Sequence, residues 1–295
     1  MAITEEKIIS FQKMLLAEER SLNTVRKYCQ DIRQFKDWIG GEKVTKETLL
    51  GWKEFMILKG YKGTTINGKI ISINAYFKYL GQIEYKMKLL KVQRKFFRES
   101  ANDLKKEDYK KMIYTAKRLG KRRLLLIMET ICTTGIRVSE LKYITLNAIQ
   151  EGKAEIFLKG KLRTILIPKT LCKKLKYYAK EKGIFCGELF ITRSGKSISR
   201  KQIWAEMKAL CYKAQVEASK VFPHNLRHLF ARCFYERCKD ISKLADVLGH
   251  SSIETTRIYL VSTYEGHMEI LNKMDLIINH KVIFDYLFKS SYMPV

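Results

Sequence analysis

The sequence has few of the features that mark secreted, metal-binding or membrane-spanning proteins. Its seven cysteines are scattered with no C-x-x-C pair, and its five histidines lack ligand-like partners. This pattern predicts neither a disulfide framework nor a zinc site, so we expect no metal or other cofactor. It is typical of a protein from the reducing cytoplasm. No stretch approaches the roughly 18–20 unbroken apolar residues of a membrane-spanning helix, and we expect no membrane partner.

Proline and acidic residues are also scarce. There are three prolines in 295 residues, and no Pro-, Gly- or Ser-rich run marks a domain boundary. Lys and Arg total 57 against 30 Asp and Glu, which gives a formal net charge of +27. Apolar residues make up 46% of the chain, enough for a hydrophobic core. The charge therefore predicts a folded protein with a polyanionic partner, nucleic acid before an anionic membrane surface.

The first 86 residues are predicted to form a helical domain. Apolar residues recur at steps of three and four in "SLNTVRKYCQDIRQFKDWIG" and in "TTINGKIISINAYFKYLG". Residues 87–102 lose this period, and we interpret them as a linker that can lie along a phosphate backbone. A plain surface connector would have a similar composition. The basic residues of this linker are Lys91, Arg94, Lys95 and Arg98.

Residues 103–265 are predicted to form a second, mostly helical domain, followed by a tail over 266–295. The run "RRLLLIMETICTTG" is apolar nearly all round, as expected of a buried helix. Two β-branched runs flank "KGK" in "KAEIFLKGKLRTILIP", which predicts an antiparallel hairpin at 154–167. Further helices are predicted from about residues 169, 199, 223, 240 and 251. The fold class is therefore mainly α, with two domains and one small sheet.

Two basic stretches near this hairpin are candidates for a functional site. "TTGIRVSEL" places Arg137 at the start of a short helix, where its guanidinium and the backbone N–H groups can bind an oxyanion. Alternatively, Arg137 pairs with Glu140 on the same helix. Lys159 and Lys161 are predicted in the hairpin turn, where a lysine either approaches a ligand or only increases solubility.

Two further stretches carry histidines. In "FPHNLRHLFARCFYE", His224 and Arg227 share one face of a helix that begins at a proline. His228 is expected to point about a quarter turn away, and a buried, hydrogen-bonded histidine is the alternative for either. In "LGHSSIETTRIYL", a capping box predicts that His250 precedes a helix and that Tyr259 lies two turns into it.

The details of this last helix follow from its pattern. The predicted capping pair is Ser251 and Glu254. The inward stripe is predicted to be Ile253, Thr256 and Leu260. Tyr259 lies beside that stripe, so it need not belong to the core.

In the chain order Arg, Lys, His-x-x-Arg, His, Tyr, these residues predict phosphoryl transfer at a DNA backbone. Two arginines can hold the oxygens of a phosphate and stabilise the charge that develops in the transition state. A lysine can protonate the leaving 5′ oxygen, and histidines can bind the phosphate or move protons. A tyrosine can attack the phosphate and retain it as an ester for religation. With this fixed positive charge, the reaction requires no metal or ATP.

The motifs "TTGIRVSEL", "HNLRHLF" and "LGHSSIETTRIYL" closely resemble those of the tyrosine recombinase (phage integrase) family, in particular its compact Xer-type members. The resemblance covers residues 3–265. It implies an N-terminal SAM-like helical bundle and a mostly α catalytic domain with a small antiparallel sheet. The implied catalytic residues are Arg137, Lys159, His224, Arg227, His250 and the nucleophile Tyr259, supported by Glu140. Lys161 stays an alternative to Lys159, because the spacing to Pro168 differs by about one residue from the family pattern.

The resemblance also implies a site-specific recombinase that acts on double-stranded DNA with an inverted-repeat core site. Arg200 and Lys201 begin a segment similar to a DNA-contacting helix of these enzymes. Four protomers are expected on two sites, either as a homo-tetramer or together with a second recombinase. The tail either enters a neighbouring protomer or folds back on its own domain.

The reaction's biological purpose stays open at this point. Integration or excision of a mobile element and resolution of DNA dimers are both compatible with the sequence. Two other activities are alternatives to recombination. One is DNA relaxation by a type IB topoisomerase, and the other is regulation by a DNA-binding protein that does not cut.

Overall fold

The structure is a computed structural model whose contacts divide the chain into two compact units, Met1–Lys95 and Phe96–Val295. It describes residues 2–92, 103–158, 161–250, 252–259 and 264–274. Within these ranges, only the backbone is described for residues 158, 161, 162, 264–267 and 270. No helix in the described ranges is both long enough and apolar enough to span a membrane.

The first unit is a helical bundle, as predicted. Its helices are α1 (Glu5–Ala17), α2 (Leu22–Ile39), α3 (Lys46–Leu58) and α4 (Gly63–Tyr79), followed by a 3₁₀ helix at Ile83–Tyr85. The apolar stripes read from the sequence form its core, with Ile32, Phe35, Ile70 and Phe77 fully buried. Local signals set the helix ends: the Ser21 hydroxyl accepts from the Thr24 N–H at the start of α2, and Gly40 ends it in the left-handed conformation.

Two asparagines on α4 hold the chain that follows these helices. Asn74 pairs with Met87, donating from Nδ2 to the carbonyl and accepting from the N–H, both at 2.9 Å. Asn67 pairs in the same way with Leu90, at 2.9 and 2.7 Å. The first residues of the predicted linker therefore pack along the first unit, where Met87 is buried and Lys91 is exposed. The other basic linker residues, Arg94, Lys95 and Arg98, lie outside the described residues.

The second unit is mostly helical and contains one hairpin. Its elements are α5 (Lys106–Arg118), α6 (Arg122–Thr134), a 3₁₀ helix at Val138–Tyr143, α7 (Leu146–Glu151), β1 (Lys153–Leu158), β2 (Lys161–Leu166), α8 (Lys169–Glu181), α9 (Arg200–Ala214), α10 (Pro223–Cys238), α11 (Ile241–Leu248), α12 (Ile253–Arg257) and α13 (Tyr264–Lys273). The predicted hairpin and the predicted starts of α8, α9, α10 and α11 are thus confirmed to within a residue or so.

The core of this unit is built around α6, which buries residues on most of its circumference, as its apolar composition predicted. The two strands are antiparallel, with Lys153 opposite Leu166 and Leu158 opposite Lys161. Alternate strand residues such as Ile156 and Ile165 face the core. The prediction that Lys161 lies in the hairpin turn was wrong, because it is the first residue of β2.

The prediction for the last motif was wrong in three details. The N-cap of α12 is Ser252 and not Ser251, which lies outside the described residues. The helix ends at Arg257, so Tyr259 follows it in a turn and does not lie inside it. Ile253, predicted to face inward, is 46% exposed, while Thr256 is fully buried as predicted. Two adjacent serines can each cap a helix, so the sequence pattern alone does not select the start.

Candidate active site

The site begins where α6 ends, at Gly135. This glycine has a φ of +65°, and a Cβ atom there would lie 2.4 Å from the Phe230 ring. Only glycine combines that backbone conformation with so close an approach. The chain then turns into the 3₁₀ helix, and the Gly135 carbonyl accepts from Arg227 on α10.

Arg137 and Glu140 form a compact pair on this turn. The Glu140 carboxylate accepts from the Arg137 N–H at 2.7 Å and from Nη1 of the same residue at 2.9 Å. Glu140 is 1% exposed, whereas the Arg137 side chain is 43% exposed. The ion pair weighed in the sequence is therefore present, and it leaves much of the guanidinium accessible to a ligand.

Arg227, on α10, is buried and is tied to backbone and side-chain acceptors. Its guanidinium donates to the Gly135 carbonyl, to the Leu248 carbonyl at 2.9 Å and to Nε2 of His250 at 2.9 Å. Burial lowers the pKa of Arg227 to about 10, against the opposing effect of a hydrogen bond with Tyr259. The side chain therefore stays charged at neutral pH and contributes a fixed cation to the site.

His250 is held as a neutral ring by its two partners. Because a guanidinium only donates, Nε2 accepts from Arg227, and Nδ1 then carries the proton and donates to the Thr256 hydroxyl at 2.9 Å. Burial, together with the nearby charges of Arg227, Arg137 and Arg163, lowers the pKa of His250 to about 4. The orientation of this ring is thus set from both sides.

Tyr259 lies among three histidine rings. Its ring centroid is 4.4 Å from that of His228, 5.7 Å from that of His250 and 6.1 Å from that of His224. Its apolar neighbours are Ala231, Leu244 and Leu248. The sequence suggested that Tyr259 need not be core, but it is 4% exposed, because the early end of α12 lets the chain turn inward.

A cleft of about 630 Å³ opens beside these residues. Its polar lining includes Arg137, His224 and Arg227 together with Arg200 and Lys201 from the start of α9. Two of the residues predicted to contact DNA, Arg200 and Lys201, therefore share a cavity with three predicted catalytic residues. Arg200, Lys201 and His224 are exposed at this cleft.

The structure does not describe the side chains of the two hairpin lysines. Lys159 lies outside the described residues, and only the backbone of Lys161 is described. Their proposed roles stay predictions. Within the described ranges, no group of three or more His, Cys, Asp or Glu side chains is arranged to hold a metal ion.

Two residues of the site were missed in the sequence. His228, expected to point away, has its ring centroid 4.6 Å from that of His224 and contacts Tyr259. Arg163 on β2 donates to the buried Glu140 and to the Val247 carbonyl. The strand pattern offered a weak signal for Arg163, since it stands opposite Ile156, whose side chain faces the core.

Comparison with known proteins identifies the family. The model of the phage integrase family matches residues 102–265, and the model of its N-terminal SAM-like domain matches residues 8–84. The chain belongs to the phage integrase family. This membership makes it an enzyme, a tyrosine-type site-specific recombinase.

Individual relatives agree with this assignment. Tyrosine recombinase XerA of Pyrococcus furiosus is 31% identical over 284 residues, which cover 94% of this chain and 96% of that protein. The recombinase shares its fold with XerH bound to a palindromic difH substrate, at a TM-score of 0.67 and 18% identity over 92% of this chain and 89% of XerH. It also shares its fold with a lambda integrase tetramer bound to a Holliday junction, at a TM-score of 0.68 and 16% identity over 88% and 77% of the two chains.

Proposed function

We propose that this recombinase cuts and rejoins double-stranded DNA through a covalent bond between the Tyr259 oxygen and a 3′ phosphate. The observation that carries the proposal is the convergence of residues from three elements around one tyrosine. His224 and Arg227 on α10 and His250 after α11 lie against Tyr259. Arg137, at the start of the 3₁₀ helix, shares a cleft with His224 and Arg227.

The chemistry assigned to these residues balances as a transesterification. The Tyr259 oxygen attacks phosphorus, the phenolic proton passes to a neighbouring base, and the bond from phosphorus to the 5′ oxygen breaks. The leaving 5′ oxygen takes a proton from the hairpin lysine, Lys159 or alternatively Lys161. Attack by a 5′ hydroxyl of another strand reverses the step and releases Tyr259.

The arginines would act on the charge of the phosphate. Arg137 is partly exposed and presents its guanidinium to the cleft. The buried Arg227 donates a hydrogen bond to His250 and contributes a second positive charge to the same cleft. His224 is exposed in the same cleft and is our candidate to bind a phosphate oxygen. His250 cannot accept a proton at Nε2 while Arg227 donates to that atom, so we assign it a role in holding the site.

The proposal extends to domains and assembly. Residues 1–86 would bind DNA as a clamp with the catalytic domain at 103–265, joined by the basic segment 87–102. The relatives solved on a difH substrate and on a Holliday junction support an inverted-repeat DNA site and four protomers, of one kind or of two. The tail at 266–295 would dock on its own or on a neighbouring protomer, and the enzyme would act in the cytoplasm.

Covalent capture tests the nucleophile. Nicked genomic fragments from the source organism, whose cut strand cannot religate, are mixed with the protein, and DNA that survives denaturant is sequenced. Tyr259→Phe should abolish attachment, whereas Tyr212→Phe, which changes a tyrosine that is 90% exposed on α9, should retain it.

The same assay separates the alternatives. Attachment at one recurrent sequence supports site-specific recombination, and attachment spread over all sequences indicates a topoisomerase. DNA binding without attachment by the wild-type protein would contradict Tyr259 as the nucleophile under these conditions and would favour a regulator. The names of the relatives, recombinases and a resolvase, favour the first result.

A further inference from the structure

Arg163 on β2 joins the hairpin to both sides of the candidate site. Its Nη1 donates to both oxygens of Glu140, at 3.1 and 2.9 Å. Its Nη2 donates to the Val247 carbonyl at 2.9 Å, near the end of α11. The side chain is 11% exposed, although arginine on a two-stranded sheet usually reaches solvent. Ordering and burying a long charged side chain costs free energy, and these bonds offset that cost.

Each partner of Arg163 either contacts a proposed catalytic residue or lies next to a residue that does. Glu140 holds the Arg137 backbone and guanidinium. Val247 precedes Leu248, whose carbonyl accepts from Arg227, and His250 follows two residues later. One guanidinium therefore sets the distance between the residue that holds Arg137 and the segment that holds Arg227 and His250.

The backbone beside Arg163 is shaped to admit this side chain. Gly249 has a φ of +63°, and a Cβ atom there would lie 2.2 Å from Cδ and 2.4 Å from Nε of Arg163. Any other residue at 249 would displace the arginine or strain the turn before His250. This close fit is independent of the hydrogen bonds, and it concerns the same side chain.

We propose that Arg163 is a positioning residue of the strand-cleavage reaction, which fixes Arg137 through Glu140 and fixes Arg227 and His250 through the Val247 carbonyl. It is not a catalytic residue, because both terminal nitrogens are engaged by the protein and the side chain is nearly buried. The inference rests on the proposed function, in that the residues it positions are those assigned to cleavage. A misplacement of about 1 Å at such residues costs roughly 100-fold in rate.

The charge of Arg163 gives a second consequence. Arg163 is one of the cations that lower the pKa of His250, together with Arg227 and Arg137, while Glu140 raises it. Burial in turn lowers the pKa of Arg163 itself, and Glu140 opposes that effect. Loss of Arg163 should therefore raise the pKa of His250 and alter its environment, which is measurable without DNA.

The kinetic test uses Arg163→Ala, Arg163→Lys and a matched control, Arg123→Ala. Arg123 also joins a carbonyl to a carboxylate, donating to the Ile191 carbonyl at 2.9 Å and to Glu206 at 2.7 Å, but near the start of α6. The substrate is the DNA sequence to which the wild-type full-length protein becomes covalently attached, nicked so that cleavage is a single turnover. Attachment rate, DNA affinity and thermal unfolding are measured for each variant.

We expect Arg163→Ala to slow attachment by about tenfold to 100-fold with DNA affinity within about twofold. Arg163→Lys should recover part of the rate, because an ammonium keeps the charge but cannot bind a carboxylate and a carbonyl as a planar fork. Arg123→Ala should lower the unfolding temperature and leave the rate unchanged. Equal rates for Arg163→Ala and wild type, or equal losses in Arg163→Ala and Arg123→Ala, would overturn the proposal.

A DNA-free measurement keeps this inference separate from the proposed function. Nitrogen NMR of ¹⁵N-histidine-labelled full chain reports the tautomer and titration of His250. Arg163→Ala and Arg163→Lys should both disturb the His250 signals, and only the alanine variant should raise the pKa strongly, while Arg123→Ala changes neither. Unchanged His250 signals in Arg163→Ala would overturn the positioning role even if the wild-type protein cleaves DNA. If the wild-type protein attaches to no DNA but the signals shift as expected, the proposed function fails and the structural link stands.

Discussion

Two arginines of the site differ in what surrounds them, and this decides what each can do. Arg227 is 1% exposed and its donors reach two carbonyls and a histidine, so it acts largely as part of the framework. Arg137 keeps 43% of its side chain exposed while Glu140 fixes one edge of it. A pre-oriented guanidinium with free donors is suited to a phosphate with two accessible oxygens.

Arg137→Lys should therefore abolish most cleavage and spare DNA binding. An ammonium lacks the planar fork of donors with which a guanidinium binds Glu140 and a phosphate in one orientation, so we expect a loss of about 10²–10³-fold in attachment rate. Affinity for the same DNA, measured by fluorescence anisotropy, should stay within about twofold. Arg193→Lys on an exposed loop is the control. Wild-type cleavage by Arg137→Lys would contradict the role of its guanidinium.

His250 should make the stability of the protein sensitive to acid. Its pKa is lowered from 6.5 to about 4, so the neutral ring is favoured in the fold and the unfolded chain binds the proton first. This contribution is complete above about pH 6.5 and is lost as the pH falls from 6.5 through 4. Urea unfolding of wild type and His250→Gln should show the wild type losing stability relative to the variant over that window. A constant difference between pH 7 and 4.5 would contradict the assignment.

At the scale of elements, the end of α11 carries a backbone position that only glycine fits without displacement. Gly249 and Gly120 share nearly the same φ, +63° and +64°, but only Gly249 has another side chain within 4 Å. Gly120→Ala should thus cost about 1–2 kcal/mol from backbone strain alone. Gly249→Ala should cost more in thermal unfolding and should also slow DNA attachment, because it displaces Arg163. Equal effects of the two substitutions on both measurements would show that the close approach does not matter.

The elements also show which parts of the structure could be predicted from the sequence. Periodicity predicted α2 and α4, and two β-branched runs around "KGK" predicted the hairpin, since each pattern reflects burial along a single element. The family motifs supplied the order of the site residues. The burial of Tyr259 was not predictable from helical spacing, because α12 stops two residues before it. His228 and Arg163 were missed for a related reason, since both join the site through contacts between elements. The only local signal was the position of Arg163 opposite the core residue Ile156.

For the whole molecule, the net charge of +27 should control DNA affinity. If roughly 6–10 phosphates are contacted, the logarithm of the binding constant should fall with the logarithm of salt concentration at a slope of about −5 to −9. Replacing both Arg200 and Lys201 by alanine should make the slope shallower by up to about 2, since both line the cleft. The control is the double variant Lys110→Ala/Lys111→Ala on α5, which removes the same amount of positive charge away from the cleft. It should change the slope less than the Arg200 and Lys201 variant does. A flat salt response would contradict electrostatic binding.

The asparagine pairs on α4 have a consequence for hydrogen exchange. The N–H groups of Met87 and Leu90 belong to no helix or strand, yet each is bonded to an asparagine oxygen on α4. These amide protons can exchange with solvent only when their hydrogen bonds to Asn74 and Asn67 break, which requires the segment from Met87 to Leu90 to separate from α4. The hydrogen-exchange rates of these two amides should therefore be as slow as those of amides in the helices of the first unit. Without the asparagine bonds, amides in such an irregular segment would be expected to exchange within seconds.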